Sequence, residues 1–225
     1  MKFLYVLIVI TTLILSCTPT AYYPSKLAPP HFSGEGNLQA TVAMTSSAEY
    51  AFQAGFSPLN HFGVYYLRNG HISGWTKNKH SVNEVGMGTY YWFGNNYYMG
   101  LYGGYSNGYV NARSNSIRLE NKFNQYSCGL VFDKKEKNVI TSIGLRAERH
   151  EMRDYKREDR IFKNWKNTYG ESLTNIYLSP SIARTYTTSS GGIQIRFVGS
   201  FPTKKSIDDI HFYISGGLFF DFKIW

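Results

Sequence analysis

The 225-residue chain has little from which to build a helical or disulfide-stapled protein. Beyond residue 16 it contains no apolar run of the roughly 20 residues that a spanning helix needs. Its two cysteines, Cys17 and Cys128, allow at most one disulfide. The six histidines, His31, His61, His71, His80, His150 and His211, show no close His/His or Cys/His spacing of a metal site. No serine sits in a nucleophile elbow, and the glycine-rich stretch from Gly100 to Gly104 is not followed by the helix and Lys-Ser/Thr of a phosphate loop. The basic excess is dispersed, with no block of five or six Lys and Arg. These absences argue against an enzyme, a bound cofactor or metal, and a nucleic-acid partner.

Met1-Lys2 followed by the apolar run Phe3 to Leu15, broken only by Thr11 and Thr12, has the form of a signal peptide. A retained membrane anchor is the alternative, and the run is short for it. Its end, Leu13-Ile14-Leu15-Ser16-Cys17, resembles the bacterial lipobox, although Leu15 stands where a small residue is usual. That resemblance implies that residues 1–16 are removed and that Cys17 is diacylated, with palmitate-type chains anchoring the new N-terminus. Each buried methylene contributes about 0.8 kcal/mol to such an anchor. A lipidated Cys17 leaves Cys128 unpaired as a small apolar strand residue; a Cys17–Cys128 bridge is the competing arrangement. With Lys2 gone from the 24 basic residues, 15 acidic ones leave the mature chain at a formal +8.

What the chain does have is aromatics and glycine: 19 Tyr, 15 Phe, 4 Trp and 21 Gly, a composition that favours strands. Residues 17–34, with Pro19, Pro24, Pro29 and Pro30, read as an extended tether. Residues 35–225 read as one domain, since turn signals recur without a second linker. Ten strands are expected, from Glu35 to Met44, Ala48 to Phe56, Phe62 to Arg68, His80 to Phe93, Tyr97 to Ser106, Leu119 to Phe132, Val139 to His150, Leu173 to Arg184, Ile193 to Phe201 and Ile210 to Ile224.

Several of these alternate apolar with small or polar residues, as the two faces of a transmembrane barrel strand do. In the last, Phe212, Ile214, Leu218, Phe220, Phe222 and Ile224 share one face. Connections alternate between short turns, such as Gly94-Asn95-Asn96, and longer stretches: Asn69 to Lys79, Asn107 to Arg118, Glu151 to Ser172 and Pro202 to Asp209. The expected fold is therefore all-β: an antiparallel, up-and-down transmembrane β-barrel of about ten strands behind a lipoprotein signal peptide. Thr45 to Ser47 is short where a long loop belongs, which leaves eight strands as an alternative. A soluble, lipid-tethered β-sandwich alternates too, and alternation alone does not separate them.

The segments Gly36-Asn37-Leu38-Gln39-Ala40, Glu49-Tyr50-Ala51-Phe52-Gln53-Ala54-Gly55-Phe56-Ser57-Pro58, Phe62-Gly63-Val64, Glu84-Val85-Gly86-Met87-Gly88 and Gly217-Leu218-Phe219-Phe220-Asp221-Phe222 resemble small outer-membrane β-barrel lipoproteins of the Bacteroidota. The resemblance implies a fold and a location in the bacterial outer membrane, and carries no catalytic residue. The aromatic C-terminus also looks like a barrel-assembly signal, with Trp225 out of phase with the apolar face. The implied partners are outer-membrane lipid and the machineries for lipoprotein processing and barrel assembly.

Strand phase points Glu84, Arg146, Glu148, Arg196, Asp221 and Lys223 into the lumen, where opposite charges pair into a plug or line a polar path. The stretch from Glu151 to Ser172 reads as a surface loop in which Arg153, Tyr155, Arg157, Arg160 and Trp165 are candidates to grip a ligand, or are simply solvated. His150 with Glu151 and Asp154 is the one acid–base grouping that a barrel enzyme could use. Tyr90, Tyr91, Trp92, Phe93, Tyr97 and Tyr98 read as an interfacial girdle. The function expected is a structural, binding or narrow transport role.

Overall fold

A computed structural model describes residues 30–45, 49–71, 79–113, 117–161, 164–188, 190–203 and 211–223. Its strands are β1 (Asn37–Thr45), β2 (Glu49–Leu59), β3 (Phe62–His71), β4 (Lys79–Phe93), β5 (Tyr97–Arg113), β6 (Ile117–Glu136), β7 (Val139–Ile161), β8 (Asn164–Thr187), β9 (Gly191–Pro202) and β10 (His211–Lys223). Each pairs antiparallel with its neighbours in sequence, and β1 pairs with β10 from Asn37↔Lys223 to Thr45↔Ser215, so the sheet closes. Closure satisfies the outer strands' backbone groups and leaves no edge. It excludes both the eight-strand count and the two-sheet sandwich. Cys17 and Trp225 lie outside the described residues.

The two faces of the wall are the reverse of a soluble protein's. Leu101, Leu130 and Leu145 stand in one register rung, Leu101↔Leu130↔Leu145, and are 52%, 38% and 53% exposed on the outside. Gln39, Gln53, Glu84 and Gln125 are buried inside. Apolar-out and polar-in is what hydrocarbon around the barrel requires. On β5 the outward face runs from Tyr97 to Tyr105, nine residues, matching the roughly 9–11 that a tilted strand needs to cross. Tyr91, Phe93 and Tyr97 mark one boundary and Tyr66, Tyr105 and Tyr126 the other.

Depth should therefore decide the effect of a charge placed on this face. Leu101→Arg, at the centre of the nine-residue span, is expected to lower stability by about 2–4 kcal/mol, and Tyr105→Arg by about 0–1 kcal/mol. Urea unfolding in lipid vesicles, followed by heat-modifiable gel mobility, measures both. Equal losses at the two positions would contradict the placement of the membrane.

Past the second boundary the pattern inverts. The outward face of β7 changes from Ile143, Leu145 and Ala147 to Arg149, Glu151 and Arg153, while Met152 and Tyr155 turn inward and are buried. The inward switch from even to odd numbers is made at Asp154, whose φ is 53°, where the β6–β7 register shifts between Glu120 and Lys122. This is a β-bulge, in which one extra residue in a strand flips the phase that follows. Met152 and Tyr155 join Val82, Val110, Ala112, Leu119 and Phe123 in an apolar cluster inside this end of the barrel. With water on the outside, the barrel here packs as a soluble protein does.

The expected loop from Glu151 to Ser172 is accordingly a correction: β7 and β8 continue as a hairpin, paired from Arg153↔Ser172 to Ile161↔Asn164. Most of the expected loop from Asn107 to Arg118 is likewise strand, with Ala112↔Leu119 and Arg113↔Arg118 paired. The end of the barrel that carries these extensions is called the loop end. The other, with the tight β2–β3, β4–β5 and β6–β7 connections and the first residues of β1, is the turn end.

Candidate functional site in the barrel lumen

Three layers fill the lumen. At the turn end the chain before β1 folds back inside, so that the last residues assigned to the tether, from Pro30 onward, belong to the barrel instead. Phe32 is fully buried among Ala43, Tyr65, Tyr90, Tyr98 and Tyr102. Trp92 Nε1 donates to the Phe32 carbonyl at 3.0 Å, and the Tyr102 hydroxyl to that of Pro30 at 3.0 Å. His31 stacks on Tyr98 with ring centroids 4.2 Å apart, and its Nδ1 contacts a carboxylate oxygen of Asp133. Gln39 brackets His31, accepting from its backbone N–H at 2.9 Å and donating to its carbonyl at 3.3 Å.

Two glycines make the room. A Cβ on Gly63 would lie 2.1 Å from the Phe32 ring, and one on Gly55 2.4 Å from Pro30 Cγ. The girdle expectation is thus half corrected: alternation sends Tyr91, Phe93 and Tyr97 outward but Tyr90, Trp92 and Tyr98 inward, around this plug. Beside it lies a polar cavity of 320 Å³, lined by His31, Gln39, Thr41, Asp133, Thr185, Gln194 and Asp221 among others.

The middle layer is a band of charge. Arg146 on β7 reaches inside the wall to β4, with Nη2 2.7 Å from Glu84 Oε2, and its Nε lies 2.7 Å from Glu148 Oε1 on its own strand. The carboxylates are held in turn: Glu84 accepts from the Tyr65 hydroxyl at 2.7 Å, and Glu148 from Gln125 Nε2 at 2.6 Å and Ser179 Oγ at 3.4 Å. Arg196 donates to Ser181 Oγ at 2.8 Å. The void between Tyr65, Tyr102, Arg146 and Arg196 is about 20 Å³, room for about one water.

Of the six expected lumen charges, then, Glu84, Arg146 and Glu148 form one cluster and Arg196 lies across the same void. Asp221 faces the turn-end cavity instead, where it accepts from the Asn37 amide. The Lys223 side chain lies outside what the structure describes.

The chain's relatives enter here as fold only. No protein-family model matches it, and no curated protein does. Its structure is similar to that of the outer membrane protease OmpT of Escherichia coli, at a TM-score of 0.61 and 10% identity, covering 86% of this chain and 99% of that one. The translocator domain of the autotransporter NalP of Neisseria meningitidis aligns at 0.43 and 8% identity, over 84% of this chain and 86% of that one. The fold is the outer-membrane type of β-barrel.

The acid–base grouping His150, Glu151 and Asp154 is not brought together. His150 is buried inside against Phe123, with ring centroids 4.3 Å apart, whereas Glu151 turns out to an ion pair with Arg149 at 2.9 Å and Asp154 is exposed at the bulge. Nor do Arg153, Tyr155 and Arg157 share a surface. Tyr155 is in the inner apolar cluster, Arg153 is exposed outside and Arg157 is half-buried, while Arg160 and Trp165 are Cα partners across the hairpin whose side chains lie outside the described set.

The third layer, at the loop end, was not foreseen. His71 ends β3, His80 is the second residue of β4 and Glu49 begins β2, so three neighbouring strands bring their side chains to one level of the inner wall. The signal was present only jointly: phase turns all three inward, and the β2–β3 register sets Glu49 opposite His71. Nine positions of sequence separate the two histidines, so no spacing motif records their meeting.

Proposed function

We propose that the protein is a lipoprotein of the bacterial outer membrane, anchored through Cys17, whose barrel is closed and acts by binding rather than by conduction. The observation that carries the closed barrel is the buried ion pair of Arg146 on β7 with Glu84 on β4, inside a lumen whose turn end holds Phe32. Barrels of about this size are generally filled by their own side chains. The apolar outer belt supports an integral barrel, with the turn end toward the periplasm and the long β7–β8 hairpin outside the cell.

The binding site is the turn-end cavity. Its 320 Å³ lies at the lower end of the range for small-molecule pockets, about 300–1,000 Å³. Gln39, Thr41, Thr185 and Gln194 offer it hydroxyl and carboxamide groups, so the ligand it suits is a small hydroxylated solute from the periplasm.

Closure is tested in planar bilayers. Full-length protein that shifts mobility on boiling is expected to show no steady conductance, and a persistent ohmic current would overturn the reading. Alkaline extraction of membranes tests the anchor separately: Cys17→Ala should stay in the membrane fraction as an integral barrel yet no longer incorporate labelled palmitate. Trp92 lines the cavity, so intrinsic fluorescence is the readout for a panel of sugars and polyols, with Trp92→Phe as the control.

A further inference from the structure

We propose that Glu49, His71 and His80 form a binding site for a divalent transition metal, zinc foremost, inside the loop end of the barrel. Glu49 Oε1 lies 3.8 Å from His80 Nδ1 and 4.0 Å from His71 Nδ1, and the ligand atoms of all three fall within 4.8 Å of one another. Those two separations exceed a direct hydrogen bond. They are close to what one ion requires, since bonds of about 2.1 Å at tetrahedral angles place ligand atoms about 3.4 Å apart. Closing the two Glu49 separations to that value takes about 0.4 and 0.6 Å, and the third side of the triangle is at most 4.8 Å.

The donor set has the chemistry of a borderline-soft ion. Two imidazoles and one carboxylate are a known zinc triad that leaves one coordination position for water or another ligand, whereas calcium and magnesium take oxygen ligands. The three side chains are 3%, 8% and 0% exposed for Glu49, His71 and His80, so the charge of a bound ion acts in a medium that screens it poorly.

Position places the site beyond the hydrocarbon layer. Arg68, exposed on the outer face of β3, already lies beyond hydrocarbon, and His71 is three residues further along the strand. Backbone pairing fixes the triad without the ion: Glu49 is the Cα partner of His71, and Gly70↔Ser81 sets His71 and His80 one rung on, their rings 5.6 Å apart. Such a site is preorganised by two strand pairings, and little ordering is left for the metal to impose.

The test uses full-length protein without a histidine tag, stripped with chelator in detergent and dialysed against Zn²⁺ or Co²⁺. Elemental analysis should find one equivalent of zinc, and Co²⁺ should give the visible absorption of a four- or five-coordinate site with nitrogen ligands. His71→Gln and Glu49→Gln, each shown to be folded by its heat-modifiable mobility, should bind at least about 100-fold more weakly. His61→Gln, changed at the turn end, should bind as wild type. His80 is the most buried ligand; if His80→Gln fails to fold, His71→Gln at the strand's end carries the test alone. The proposal is overturned if folded wild type takes up less than one equivalent, or if folded His71→Gln retains wild-type affinity and the Co²⁺ spectrum.

Discussion

An Arg146→Ala variant is expected to lose about 3–5 kcal/mol of stability, the cost of removing one member from a buried ionic group. Arg146 is the cation that Glu84 and Glu148 share, each at 2.7 Å, and the two carboxylates are 1% and 0% exposed. Without it two negative charges face each other in a closed lumen, where Arg196 is bound to Ser181 and lies across the void. Urea titration in vesicles, read by heat-modifiable mobility, gives the loss directly.

The control is the triple change Glu84→Gln, Glu148→Gln and Arg146→Met, which removes the charges together. It should recover most of the loss, since replacing a whole buried ionic group is often neutral, whereas breaking it is not. A single variant within about 1 kcal/mol of wild type would mean that water enters the band freely, an exposed pair being worth that little. That result would also weaken the case for a closed lumen.

What the sequence discloses about this band is its phase. Because side chains alternate along a strand, the apolar parity of Val139, Ile143, Leu145 and Ala147 sends Arg146 and Glu148 inward, and the same alternation on β4 sends Glu84 inward. That Glu84 meets Arg146 is not disclosed, because that depends on strand tilt and stagger around a closed wall. Glu84 and Arg146 lie on strands separated by β5 and β6, and only the curvature of the barrel lets the guanidinium reach across.

The same limit hid the hairpin beyond the membrane. From Glu151 to Ser172 the sequence is charged and aromatic without membrane-type alternation, so it reads as a loop. The strand pattern is there with its sign reversed, Met152 and Tyr155 inside and Arg153 and Lys156 outside, and the bulge at Asp154 adds a slip of phase that alternation cannot show. The His71–His80–Glu49 triad was hidden for a related reason: its members converge through register, and no one of them is unusual in its own strand.

Phe32→Ala is expected to cost about 3–5 kcal/mol, the usual range for deleting a buried phenylalanine ring from a packed core. Phe32 is fully buried although it lies outside every strand, so its contacts hold the segment from Pro30 onward in the mouth of the barrel. Losing the ring removes the apolar anchor and leaves the His31 contacts with Tyr98, Asp133 and Gln39 and the hydrogen bonds from Trp92 and Tyr102, each hydrogen bond contributing about 0.5–1.5 kcal/mol net. Against the entropy of fixing the segment, about 1–2 kcal/mol per residue of backbone, they leave little margin once the ring is gone. The segment should therefore leave the lumen, and a red shift of Trp92 emission should report it, absent in Trp92→Phe. Gly63→Ala offers an independent route to the same state, because its methyl carbon would lie 2.1 Å from the Phe32 ring. If Gly63→Ala shifts the emission as Phe32→Ala does while the barrel keeps its heat-modifiable mobility, the plug is a separable device seated on a preformed wall. If both variants instead lose the barrel, the plug is part of the core that closes β1 on β10.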